Sequence, residues 1–167
     1  MFASYKKHNN KLYNKLVELS RNKFFYQDFN LKDHFETRVL LIFFHFIIIL
    51  KAKKNAKLKK DFQNLFDNIF QNIEIDIREL GYGDTKVNKT MKTLNKIFYD
   101  ILFKIEKKEN LTSNDNKDLL IKYFYKEDHK YNEKAYKLGE YMEEFQNFCF
   151  DSDVDNMLNG SINFKFR

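Results

Sequence analysis

Proline and tryptophan are absent from the 167 residues, glycine occurs four times and cysteine once. A lone Cys149 excludes an intramolecular disulfide, and neither a CxxC pair nor the Cys/His spacing of a structural zinc site is present. No such staple is needed, because a single domain of about 150 residues buries roughly 70% of the surface its unfolded chain exposes. Without proline and with so little glycine, few positions interrupt a helix.

Export signals are missing as well. Met1-Phe-Ala-Ser-Tyr-Lys-Lys-His8 leads into polar Asn and Lys with no apolar h-region or small-residue cleavage site, so the expected location is cytoplasmic. In that compartment Asn110-Leu-Thr112 and Asn159-Gly-Ser161 match the glycosylation pattern only by chance. The longest apolar run, Val39 to Leu50, has 12 residues counting His45. As a helix it reaches about 18 Å against a hydrocarbon core of about 30 Å, too short to span a bilayer.

Catalytic motifs are equally scarce. No GxGxxG, GxxxxGK[ST] or GxSxG occurs, which leaves phosphate-cradling loops and nucleophile elbows without candidates. His8, His34, His45 and His129 share no i, i+4 spacing and no HExxH, so neither a metal nor a cofactor is expected. No carboxylate pair stands out as an acid/base couple, and catalysis is the disfavoured class. His45, inside the apolar run, reads as a hydrogen-bonded core histidine, and Cys149 as a small buried hydrophobe.

What the chain has in abundance is Lys, Asn, Ile, Phe and Tyr, a bias that AT-rich codons produce unaided. The net charge of +6 therefore carries weight only through its distribution. Residues 1–60 hold 14 Lys+Arg against 4 Asp+Glu, a net of +10, and residues 61–167 hold 16 against 20, a net of −4. The densest cluster, Lys51, Lys53, Lys54, Lys57, Lys59 and Lys60, follows the apolar run, a placement suited to an anionic membrane surface. Aromatics interleave with lysine in the first third, so a nucleic-acid- or ribosome-associated binding module is the alternative reading.

Apolar residues recur in steps of three and four, and the fold class read from them is all-α, a single-domain bundle of about six helices with a short extended C-terminal tail. A first helix over residues 6–22 carries Leu12, Leu16 and Leu19 on a modest face, and residues 1–30 are expected as a loosely attached basic segment before a helical domain at 31–167. The second, from about residue 31 to 54, is apolar all round and so central. The third places Leu58, Phe62, Leu65, Phe66, Ile69, Phe70, Ile73, Ile77 and Leu80 on one stripe and stops at Gly81. A fourth starts between Thr85 and Asn88 and carries Val87, Met91, Leu94, Phe98, Ile101, Leu102 and Ile105. After a loop at 112–116 come helices at about 117–126 and 130–150, and the alternating residues from Met157 onward predict an extended tail across the surface.

Between the third and fourth helices lies Arg78-Glu-Leu-Gly-Tyr-Gly-Asp84. Turn chemistry accounts for its glycines: Gly81 ends one helix in the left-handed conformation, Gly83 completes the turn, and Asp84 or Thr85 caps the next helix. It accounts less readily for Arg78, Glu79 and Tyr82.

Taken in order, Phe35-Glu-Thr-Arg-Val-Leu-Leu to Leu50, an aromatic amphipathic helix, Asp76-Ile-Arg-Glu-Leu-Gly-Tyr-Gly-Asp84, Val87-Asn-Lys-Thr-Met-Lys and Phe98-Tyr99 resemble the ubiquinol-cytochrome c chaperone family. Leu158-Asn-Gly-Ser-Ile-Asn-Phe164 resembles that family's closing Leu-x-Gly-x-Ile-x-Phe. Three positions depart from its pattern: Tyr82 replaces an aliphatic residue, Asn88 a proline, and Asp100 the glycine after Phe-Tyr. The resemblance implies an assembly factor for the cytochrome bc complex (respiratory complex III) that engages newly made cytochrome b. It also implies contacts with a small partner protein or the ribosome, and no small-molecule substrate. On this reading Arg78, Glu79, Tyr82 and Asp84 face the client, Gly81 and Gly83 form the turn, and the lysine cluster holds the protein at the inner face of the membrane.

Overall fold

The computed structural model describes residues 10–52, 56–107 and 113–166, with the backbone alone at 56–59 and 113–115. Among the described residues every regular element is helical. In chain order they are α1 (Lys11–Ser20), α2 (Lys23–Gln27), α3 (Phe35–Ala52), α4 (Ala56–Glu79), α5 (Asp84–Glu106), α6 (Ser113–Phe124), α7 (Asn132–Asp151) and α8 (Val154–Leu158). A 3-10 turn at His129–Tyr131 leads into α7, and an extended tail follows α8.

The apolar run forms the central helix, as its composition predicts: every side chain from Leu41 to Ile49 is buried. α3 can be apolar all round because α1, α5, α6 and α7 pack against its different sides. Phe43 stacks on Phe70 of α4 at 5.4 Å and meets Phe98 of α5 edge-on at 5.3 Å, and on another side Phe44 packs against Phe124 of α6 at 5.3 Å. Burial of each such ring stabilises the fold by about 1.5–3 kcal/mol. α4 and α5 form an antiparallel hairpin in which Phe66 and Phe70 contact Phe98 at nearly equal distances in sequence from the turn.

On the modest apolar face of α1 Leu12 and Leu16 are buried and Leu19 is half-buried; Tyr13 is buried as well, and its hydroxyl donates to Asp76 Oδ2 of α4 at 2.6 Å. α1 ends two residues earlier than its spacing predicts, and residues 6–9 of the expected helix lie outside the described residues. Asn22 interrupts it by capping a separate one-turn helix, its Oδ1 accepting from the Phe24 amide at 3.4 Å. A second short helix, α8, follows α7 and includes Met157 and Leu158, from which an extended tail was expected; Asp153 caps it by accepting from the Asn156 amide at 2.9 Å. α6 likewise begins at Ser113, so most of the segment read as a loop at 112–116 forms its first turn.

The tail keeps the alternation of its sequence. Ile162 is buried, Phe164 and Phe166 are half-buried against Tyr141, and Asn163 and Lys165 point to solvent. Gly160 makes this path possible. Its φ is +87°, and a Cβ there would lie 2.8 Å from the carbonyl oxygen of Lys11, at the start of α1. Among the described residues, no helix is long and apolar enough to cross a membrane.

Candidate functional site

α4 stops where Gly81 adopts φ +91°. The amide of Leu80 reaches the carbonyls of Asp76 and Ile77 at 3.2 and 3.1 Å, and that of Gly81 reaches Arg78 at 3.0 Å, so the helix end is closed by its own backbone. Gly83 differs: with φ −73° and ψ 165° it has ordinary extended backbone, and nothing lies within 4 Å of an added Cβ. Gly83 is also the N-cap of α5 and offers no side-chain cap. The capping role expected of Asp84 or Thr85 is not taken up, since Asp84 is already the first helical residue.

Asp84 instead bridges the two helices. Its Oδ1 accepts from a terminal nitrogen of Arg78 at 2.5 Å, and its charge sits at the positive end of α5. The hydrogen bond to Asp84 raises the Arg78 pKa above its ordinary value. Both side chains are open to water, 43% and 84% exposed, so the pair orients the tip more than it stabilises the fold.

Above this pair the tip presents apolar surface framed by charge. Leu80 is 52% and Tyr82 37% exposed, and Lys86 Nζ lies 4.0 Å from the centre of the Tyr82 ring. Glu79 is exposed beside them, while Ile77 and Val87 are buried below and anchor the turn. Leu80 corrects its sequence assignment. Its spacing puts it on the apolar stripe of α4, but the chain turns at the next residue, so no neighbouring helix covers it.

The lysine cluster lies elsewhere. Lys60 and Arg78 are separated by 18 residues of α4, about 27 Å along its axis. Lys51 is turned inward, its Nζ donating to the Ile105 carbonyl at 3.0 Å and completing the C-terminal end of α5. Lys60 is exposed, whereas Lys53 and Lys54 and the side chains of Lys57 and Lys59 lie outside the described residues.

Of the other residues weighed for chemistry, His34 and His129 are exposed, while His45 and Cys149 are embedded in packing. The buried His45 ring donates from Nδ1 to the Leu41 carbonyl and accepts at Nε2 from the Tyr141 hydroxyl, both at 2.6 Å, and desolvation lowers its pKa to about 4. Cys149 is fully buried. Asp100, at the position that departs from the resemblance, accepts from the Tyr123 hydroxyl and from Lys104 and Lys122 at 3.1 and 3.3 Å, tying α5 to α6. The Tyr123 bond is the main cause of its lowered pKa. Among the described residues, no group of three His, Cys, Asp or Glu side chains could hold a metal ion.

An all-α bundle of this design has a solved counterpart, the crystal structure of the Cbp3 homolog from Brucella abortus. It superposes with a TM-score of 0.74 at 23% identity, covering 93% of this chain and 87% of that one. The sequence profile described as ubiquinol-cytochrome c chaperone matches residues 27–164, and the chain belongs to that family. No curated protein matches the sequence.

Proposed function

We propose that this protein is a non-enzymatic assembly chaperone of the cytochrome bc complex that holds newly made cytochrome b at the tip of the α4–α5 hairpin. The observation that carries this reading is the tip itself: Leu80 and the Tyr82 ring stand exposed between Arg78, Glu79, Asp84 and Lys86, at the end of two long helices anchored in the core. A membrane-protein client emerges as apolar helices with charged flanks, and an apolar platform with both signs of charge at its rim complements such a segment. The protein works in the cytoplasm at the inner face of the membrane. A small partner protein or the ribosome is the further contact expected of a factor that meets its client during synthesis.

The test is crosslinking in the native cells, with and without the gene for cytochrome b. Wild type should recover cytochrome b, and the Arg78→Ala, Asp84→Ala double variant should lose it while keeping its helical circular dichroism. Equal recovery by the folded variant, or recovery of ribosomal RNA in place of cytochrome b, overturns the reading.

A further inference from the structure

The outward side of α5 carries a second surface, which runs from next to the tip to the helix end that Lys51 closes. Lys89, Lys92, Lys96, Tyr99, Phe103 and Lys107 follow one another in steps of three and four, and all six are exposed. They therefore form one stripe, about 27 Å long, facing away from the buried Leu94, Ile101 and Ile105, with Tyr99 at its edge, 5.5 Å from the Phe98 ring and 5.6 Å from Phe66. Phe103 is 59% and Tyr99 45% exposed, unusual for large rings on a helix whose other aromatic, Phe98, is fully buried. Among the described residues no carboxylate pairs with Lys89, Lys92 or Lys96, and the nearby Asp100 is occupied by Lys104, Lys122 and Tyr123. Glu106 is the exposed acid at the far end of the helix.

We infer that this stripe docks on an anionic lipid bilayer, with Tyr99 and Phe103 entering the interface and the flanking lysines on the headgroups. The charge is complementary to such a surface, and the row of rings and ammonium groups on a convex helix face matches a plane rather than a groove. Stacking on nucleic-acid bases fits less well, because Lys107 Nζ sits 4.1 Å from the centre of the Phe103 ring and covers the face a base would use. In a bilayer the same pair is compatible: the ring edge enters and the long lysine stem carries its charge back to the headgroups. This inference does not depend on the identity of the client.

Because the chain has no tryptophan, a Phe103→Trp substitution supplies a single fluorescent reporter, and Tyr136→Trp, at an exposed position on α7, is the control. Full-length variants are mixed with vesicles of phosphatidylcholine containing phosphatidylglycerol, and with vesicles of phosphatidylcholine alone. The expected result is a blue shift at position 103 with the anionic vesicles only, reversed by salt, with no shift at position 136. Changing Lys92, Lys96 and Lys107 together to Gln should weaken vesicle binding at least tenfold with unchanged circular dichroism. The inference is overturned by sedimentation with anionic vesicles without a shift at position 103, by equal shifts at both positions, by no vesicle binding, or by tighter binding to polyuridylate than to vesicles. Cytochrome b is absent from this assay, so its outcome is separate from that of the client-binding test.

Discussion

His45 illustrates how a polar side chain is carried in an apolar helix. Both ring nitrogens are satisfied, and the neutral ring is the form that burial favours. Its folded pKa of about 4 lies below the ordinary value of 6.5, so the unfolded chain takes up the proton first as pH falls. Stability is then complete above pH 6.5 and declines toward pH 4. Chemical denaturation of wild type and His45→Gln at pH 7 and pH 4 should show wild type losing on the order of 3 kcal/mol more. The glycines divide just as sharply. Gly81→Ala forces a side chain to φ +91° in open space and should cost about 1–2 kcal/mol. Gly160→Ala adds a collision with the Lys11 backbone and should cost roughly 2–4 kcal/mol. Gly83→Ala meets neither obstacle and should cost no more than about 1 kcal/mol, the difference between Gly and Ala at an N-cap. Denaturation midpoints check all three, and an effect of Gly83→Ala on client recovery alone would mark that glycine as a contact.

At the level of elements, the long helices were legible because each has an apolar stripe that its neighbours cover, and α3 because it is apolar all round. The short helices α2 and α8 were not, since one turn contains too few residues to show a period. Their capping residues, Asn22 and Asp153, are also common turn formers. Arg78 to Asp84 could be singled out from sequence, yet the exposure of Leu80 could not, because spacing reports a face and not whether a partner covers it. The stripe on α5 was obscured for a related reason: Tyr99 and Phe103 lie off the apolar stripe of that helix, and spacing does not report whether another element covers them. Elements with few residues depend more on each contact, and the tail is the sharpest case. Ile162→Ala should cost about 2–5 kcal/mol, comparable with a substitution in a central helix, measured by urea denaturation.

Among the described residues, the charge imbalance between the two parts of the sequence does not map onto one basic face. Lys51 is spent internally on the Ile105 carbonyl, while exposed lysines from the nominally acidic part line α5. Net charge by segment was therefore a poor guide to surface potential, which depends on where side chains point. The meeting of Gly160 with Lys11 has a consequence of its own. During synthesis the first described helix leaves the ribosome long before residue 160, and until then α1 lacks its contacts with α8 and with Gly160. The first helix is thus closed in by one of the last segments to be made, and a nascent chain arrested before residue 160 should remain open to protease within α1, whereas one extended through residue 167 resists.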